Sequence, residues 1–357
     1  MAAESEEAKT WVGNMLCFFL LFSASMAIID QGRDGSSNYQ NLEIQKLSKK
    51  LNRPAVKSIK QSGSCPEETI PIRRIRKEDI LRAKSIQQFG KKNLKNIPQH
   101  GSFETHSKHQ FAAVYVKGDK YHGGMATMNV WNPHVQEHNE FSDCQISILN
   151  DNIGKGYNSI QAGWQVNPRL YGDNNTRFFT FWRGGSGENA SRCYDLLCSG
   201  FIQVNHRVVV GAAIRPLSAY GDSKSQHAIT ILVWKTGNWW LQYGPNNEVV
   251  GYWPASLFPL LSESATTVGW GGEVLNLGSN GQHTTTQMES GHFAQEGYGK
   301  ACFFWNIKVV NGNNQTVPPN NIRTRVDQPY CYHVQTSQSN DWGNYSFGGP
   351  GRNPSCP

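Results

Sequence analysis

Two strand-like segments of the sequence each carry a polar side chain that could take part in chemistry. In 159–166, alternation of side chains places Gln161 on the polar face, away from the apolar residues. In 268–274, the same alternation places Glu273 on the polar face beside two glycines. Glycine neighbours leave room for a bound chain next to a polar group. Both residues are therefore candidates for a groove that binds an extended substrate.

The two residue types differ in what they can do with a proton. A glutamate can act as general base toward water, whereas the Gln161 amide can act neither as a general base nor as a general acid. The Gln161 amide can donate two N–H bonds and accept at its carbonyl, which suits it to hold water or to stabilise an oxyanion. Alternation alone favours a simpler interpretation, in which the polar faces of these two segments are merely exposed to solvent, because antiparallel sheets commonly expose one side.

The elements that must position these residues follow from the pattern of the whole chain. From 109 onward the sequence consists of short alternating segments roughly ten residues apart, separated by turn formers such as Asn-Pro, Gly-Gly and Asn-Gly. This pattern predicts an all-β domain, an antiparallel β-sandwich. Before this domain, the spacing of apolar residues predicts an amphipathic helix at 40–60 and a second helical stretch at 77–88. The basic, turn-rich residues 91–101 indicate a linker and cleavage site.

Positive charge is concentrated before the β domain. Residues 28–108 contain 17 Lys and Arg against 8 Asp and Glu, whereas 109–357 contain 16 of each class. Aromatic residues are not interleaved with the basic ones, so we expect no nucleic-acid partner. The distribution favours a detachable basic segment that covers a neutral domain.

The N-terminus has the pattern of a secretory signal. A short apolar run at 15–22 is followed by Ser25 and Ala27 at the spacing of a signal-peptidase site. An uncleaved anchor is the alternative, but the run is short for a bilayer span, and we expect no stable membrane span. We therefore predict a secreted protein, extracellular or in the cell wall, with the vacuole as another destination. The predicted divisions are a signal peptide at 1–27, a partly helical propeptide at 28–100 and the β-sandwich at 101–357.

Glycosylation sequons fit a secreted chain. They lie at Asn174, Asn189, Asn314 and Asn344.

The cysteines also fit an oxidising compartment. Cys193 and Cys198 are close enough for a small disulfide loop, and Cys331 with Cys356 could fasten the C-terminal tail. Cys144 and Cys302 could pair with each other or be buried thiols, and Cys65 would be alone in the propeptide. The histidines lack metal-ligand spacing, and no phosphate or dinucleotide motif occurs, so we expect no metal and no cofactor.

A series of ordered motifs resembles the plant neprosin family. The motif at 65–79 resembles its activation peptide, and the later motifs resemble its catalytic domain. The motifs are CPEETIPIRRIRKED at 65–79, VWNP at 130–133, AGWQV at 162–166, LYGD at 170–173, CYDLLCSGF at 193–201, TGNWWL at 236–241, VGYWP at 250–254, WGGEV at 270–274, TTTQM at 284–288 and GGPG at 348–351.

The resemblance implies a secreted glutamic peptidase that is made as a zymogen and cuts proteins or peptides after proline at acidic pH. It implies that the propeptide is an intramolecular inhibitor. In that family two glutamates on facing strands perform the chemistry. Carried over by motif, one position is Glu273 and the other is Gln161. Both disulfide pairings named above also fit the family.

Gln161 leaves two hypotheses open. Two neighbouring carboxylates can share a proton, so that one acts as base while the other donates, and a glutamine cannot replace the donor. Another glutamic-peptidase family, mainly fungal, uses a Gln/Glu pair on a β-sandwich. The first hypothesis is an acid-acting endopeptidase with Glu273 as general base and Gln161 as neutral partner. The second is a secreted module with a degraded active site that binds peptide or cell-wall polymer.

Overall fold

The computed structural model describes most of the chain. The described residues are 35–52, 69–83, 85–92, 108–152, 156–186, 190–336 and 345–357. The predicted signal peptide, Cys65, the sequons at Asn189 and Asn344, and most of the predicted linker lie outside them. None of the helices in the described ranges is both long enough and apolar enough to cross a membrane.

Helices are few in the described ranges, and the longest of them has 17 residues. They are α1 (Gly35–Leu51), α2 (Lys77–Leu81) and α3 (Pro168–Tyr171), with 3₁₀ turns at Ile86–Gln88, Ala255–Leu257 and Ala294–Glu296.

Strands are the main regular element of the described ranges. They are β1 (His109–Asn129), β2 (Ser142–Asn152), β3 (Gly156–Val166), β4 (Arg177–Gly184), β5 (Ser191–Tyr194), β6 (Ile202–Gln203), β7 (Ala228–Thr236), β8 (Asn238–Tyr243), β9 (Glu248–Trp253), β10 (Ala265–Leu275), β11 (Cys302–Asn311), β12 (Thr316–Val317), β13 (Arg323–Val326), β14 (His333–Thr336) and β15 (Tyr345–Gly348).

The helical predictions hold in part. Helix α1 begins earlier than the predicted 40–60 and ends at Leu51, while 53–60 lies outside the described residues. Asn52 follows the helix and exchanges hydrogen bonds with the backbone of Ile75 at 2.7 and 2.8 Å. The predicted stretch 77–88 is divided into α2 and a 3₁₀ turn.

The antiparallel β fold is confirmed. All pairings between the described strands are antiparallel, in the order β5-β4-β3-β2-β10-β1-β7-β8-β9-β6. The long strand β1 belongs to both halves of the fold, because its first part pairs with β10 and its second part with β7. The inner faces of these halves pack together: Trp164 of β3 donates from its indole N–H to the Asn129 carbonyl at 2.9 Å. The sheet therefore curls onto itself around a single core.

Burial along β3 follows the predicted alternation only in part, because Ser159 and Gln165 on the polar face are also buried. Ile160, Ala162 and Trp164 are fully buried, whereas Gln161 is only half-buried on the opposite face. Since the Trp164 ring lies in the core, substituting it would test stability and not the groove.

Two disulfides lie within the described residues, Cys193–Cys198 and Cys331–Cys356, with Cα atoms 6.1 and 5.4 Å apart. Of the two alternatives for Cys144 and Cys302, the structure has buried free thiols. Their sulfur atoms and a carboxylate oxygen of Glu289 all lie within 4.8 Å of one another in the core.

We expect both thiols to react only after the protein is denatured, because neither is accessible to solvent. Thiol titration of the unreduced protein, native and then denatured, checks this with the variants Cys144→Ala and Cys302→Ala. In the denatured protein, each variant should lower the number of titrated thiols by one. If the two residues were bridged, each variant would instead free its former partner and raise the number by one.

Candidate active site

Strand β2 lies between the strands that carry the two predicted site residues. Gln161 of β3 pairs with Ser147 of β2, and Glu273 of β10 pairs with Asp143 of β2. Directly paired residues of antiparallel strands point to the same face, so these four side chains share one face of the sheet. Gln145 lies between them on β2 and shares that face. Gln161 and Glu273 are therefore on a common surface but not on adjacent strands.

The Glu273 carboxylate is fully buried and contacts three polar side chains. One oxygen, Oε2, accepts hydrogen bonds from Lys92 Nζ at 2.6 Å and from Gln145 Nε2 at 3.2 Å. The other, Oε1, lies 2.6 Å from His109 Nδ1. Burial alone would raise the pKa of Glu273, but Lys92 and His109 more than compensate and lower it to about 2. Glu273 is therefore ionised at neutral and mildly acidic pH.

Lys92 is buried in this site and is not part of an exposed linker. Its Nζ lies 3.5 Å from Gln161 Oε1, so the ammonium group connects the two predicted site residues. The rings of Phe141 and Phe181 lie 5.0 and 5.4 Å from Nζ and provide cation–π contacts. A carboxylate and two aromatic faces together compensate for removing the lysine from water.

The chain before Lys92 is fixed to the β domain by backbone contacts. The carbonyl of Gly90 accepts a hydrogen bond from the Tyr194 backbone N–H at 2.8 Å. Gly90 has a φ of +72°, and a Cβ there would lie 2.7 Å from the Leu197 side chain, so only glycine fits this approach. These contacts direct Lys92 into the site.

Asp143 is a second buried carboxyl group beside Glu273. It is fully buried, and neither of its oxygens accepts a hydrogen bond from a described side chain. Burial and the neighbouring ionised Glu273 raise the pKa of Asp143 well above its usual range, and Lys92 and the backbone N–H of Glu273 offset this only in part. Asp143 therefore holds its proton to a higher pH than Glu273 does.

Sequence reasoning missed four members of this site, namely Lys92, His109, Asp143 and Gln145. Asp143 and Gln145 could have been found, because the alternation of 142–149 places both on one face. Nothing local to Lys92 or His109 indicates burial against Glu273.

A second charged contact holds the chain before β1. Arg73 lies over the Tyr171 ring, 5.4 Å from its centroid, and the Tyr171 hydroxyl donates to Asp195 Oδ2 at 2.8 Å. Burial raises the pKa of Asp195 to about 6, although the Thr180 backbone N–H, Tyr171, Arg73 and Arg177 each lower it. Asp195 therefore changes charge in mildly acidic solution.

The curled antiparallel sheet, with a buried glutamate whose carboxylate is paired with a lysine from the preceding chain, defines a β-sandwich protein whose central carboxylate is covered by its own N-terminal segment. The chain matches the neprosin family over residues 138–350 and the neprosin activation peptide over 28–115. The first match covers more than half of the 357 residues, and this chain belongs to the neprosin family.

The fold is similar to several solved structures. Scytalido-glutamic peptidase with a peptide-based transition state analogue matches with a TM-score of 0.39 and 14% identity, over 68% of this chain and 98% of that chain. SCP-B, a member of the eqolisin family of peptidases in a complex with the tripeptide Ala-Ile-His, matches with a TM-score of 0.39 and 13% identity, over 67% of this chain and 96% of that one. The β-porphyranase BpGH16B from the human gut bacterium Bacteroides plebeius matches with a TM-score of 0.23 and 8% identity, over 44% and 53% of the two chains.

We expect Lys92→Met to destabilise the full chain, because it leaves the buried Glu273 charge without its closest partner. Breaking a buried ion pair in this way typically costs about 3–5 kcal/mol. Urea unfolding and limited proteolysis of the region around 85–92 measure the effect. Lys91→Met is the matched control, because Lys91 is exposed. Equal unfolding midpoints for Lys92→Met and wild type would contradict the importance of this pair.

We expect the chain around Arg73 to be held less tightly as pH falls through about 6, the pKa of Asp195. Arg73 lowers the pKa of Asp195, so the pKa is higher when Arg73 has left. Protonation of Asp195 therefore favours the detached state, and the attachment is strongest well above pH 6. Hydrogen exchange of 69–83 at neutral pH and below pH 6 measures this. Asp195→Asn should remove the pH dependence, whereas Asp173→Asn, at a more exposed acid, should keep it. A pH dependence that survives in Asp195→Asn would assign it to another group.

Proposed function

We propose that this protein is the secreted zymogen of a neprosin-like glutamic endopeptidase that acts at acidic pH and cuts at proline. Glu273 is its general base. The observation that carries the proposal is the 2.6 Å contact between Glu273 and Lys92, a residue within the part of the chain that matches the activation peptide. The proposed divisions remain a signal peptide at 1–27, a propeptide at 28–100 and the peptidase domain at 101–357.

Lys92 blocks the base in the full chain. A general base must accept a proton from water, and both Glu273 oxygens are already engaged by Lys92, Gln145 and His109. Removal of the propeptide takes Lys92 away and leaves Oε2 open to water. It also removes the strongest influence that lowers the pKa of Glu273, so this pKa then rises toward the acidic working range.

The groups around the vacated space suit peptide hydrolysis. Gln161 contacts the Lys92 ammonium group, and Gln145 contacts the Glu273 carboxylate. Their amides can orient water or stabilise an oxyanion. The rings of Phe141 and Phe181, which flank the Lys92 ammonium group, offer flat apolar faces for a proline ring. These contacts support a peptide or protein substrate.

Secretion is supported by surface features of the domain. The sequon residues Asn174 and Asn314 are both exposed, as an attached glycan requires. The two disulfides are compatible with an oxidising compartment.

A second candidate function is a secreted module that binds peptide or cell-wall polymer without cutting it. One observation favours it: Gln161 stands where the family has a glutamate, and an amide cannot exchange a proton. The two candidates share the groove and differ in whether bound peptide is hydrolysed.

Digestion of a proline-rich substrate at acidic pH tests the proposal. We expect the processed protein to cut it and Glu273→Gln to lose about 10²–10⁴-fold of kcat or more, since no general base remains. Glu248→Gln is the control, because Glu248 lies on the surface and pairs with Arg207. The peptidase proposal fails if wild type and Gln161→Glu are both inert while folded and free of propeptide, and the binding module is then preferred.

A further inference from the structure

Asp143 and Glu273 form a directly opposed pair across strands β2 and β10. We propose that Asp143 is the second carboxyl group of the catalytic pair and supplies the proton that Gln161 cannot. The inference rests on the proposed peptidase function and adds a catalytic residue to it.

Strand pairing places the two acids side by side in the site. Directly opposed residues of an antiparallel pair have Cβ atoms about 4.5–5.5 Å apart and point to the same face. Both side chains are fully buried. Within the described residues, the Asp143 oxygens accept no side-chain hydrogen bond, so its O–H is not committed to another side chain.

An isolated carboxylate in such a position would be costly, and a neutral carboxylic acid is the form that burial favours. The ionisable groups that face the pair come from several elements: Lys92 before β1, His109 on β1, Tyr194 on β5 and Glu289 behind β10. Burial first, and then Glu273 and Asp143, raise the pKa of Tyr194, so the phenol stays protonated and does not compete for the negative charge.

Removal of Lys92 leaves two neighbouring carboxyl groups that cannot both ionise easily. Glu273 keeps the negative charge, because His109 and Gln145 still contact its oxygens. Asp143 keeps the proton, because no described side chain donates to it. Gln161 is less suited to this role, since its amide has no acidic proton and, among the described side chains, only Lys92 connects it to Glu273.

The pair completes a balanced hydrolysis. Glu273 takes a proton from water as the water oxygen bonds to the scissile carbonyl carbon, and Asp143 gives its proton to the carbonyl oxygen. Glu273 then gives its new proton to the amide nitrogen as the C–N bond breaks. One hydroxyl proton of the intermediate returns to Asp143, which yields a carboxylic acid and an amine and restores both residues.

The variant Asp143→Asn tests this role, because it keeps the shape of the side chain and removes the proton. We expect kcat of the processed protein to fall by about 10²–10⁴-fold at acidic pH, with little change in KM. Asp151→Asn is the matched control, since Asp151 lies on the same strand and pairs with Lys117 near the surface, and it should leave kcat unchanged. Asp143→Glu, which keeps an acid, should retain activity.

Rescue distinguishes a catalytic role from a structural one. Adding Gln161→Glu to Asp143→Asn restores a second carboxyl group to the site and should recover activity. Normal kcat in Asp143→Asn, alongside an inactive Glu273→Gln, would overturn the inference and leave the proposed function intact. If wild type and Gln161→Glu both fail to cut any proline-containing peptide, the proposed function is overturned, and the inference with it.

Infrared difference spectra of the unprocessed full chain give a readout that needs no activity. At the acidic pH of the activity assay, wild type minus Asp143→Asn should show the carbonyl band of a protonated carboxylic acid, and wild type minus Asp151→Asn should not. A carboxylate band in the first difference would overturn the inference.

Discussion

A buried ion pair between Lys92 and Glu273 is the interaction on which the rest of the site depends. Both side chains are almost completely removed from water, so either charge alone would be strongly unfavourable. Lys92 comes from the chain before the first strand, and Glu273 comes from a central strand of the sheet. This contact therefore attaches the N-terminal part of the chain to strand β10 and helps to keep the Glu273 carboxylate ionised.

The same surroundings explain why two adjacent acids differ in protonation. Burial acts equally on Glu273 and Asp143, since both are fully enclosed. The difference in their pKa values therefore comes from their partners. Glu273 contacts Lys92, His109 and Gln145, whereas Asp143 receives no hydrogen bond from a described side chain. An acid–base pair needs this kind of division, in which neighbouring groups hold opposite protonation states at one pH.

The two charged contacts of the N-terminal chain respond to acid over different ranges. Asp195, which Arg73 faces, has a pKa of about 6, while the pKa of Glu273 is held at about 2. Mild acid therefore weakens the attachment of Arg73 near Asp195 and leaves the Lys92–Glu273 ion pair intact. Within the proposed function, acid loosens the propeptide, and release of Glu273 then depends on cleavage of the chain that carries Lys92.

Alternation in the sequence by itself determined the antiparallel fold, the burial of Trp164 and the positions of Gln161 and Glu273 on the polar face, because strand side chains alternate whatever the strand pairs with. It could not place Asp143 opposite Glu273, since that depends on the register of strands that are distant in the chain. Nor could it place Lys92. A lysine in a basic, turn-rich stretch has the local features of an exposed linker, and only a carboxylate and two rings from distant strands make its burial favourable.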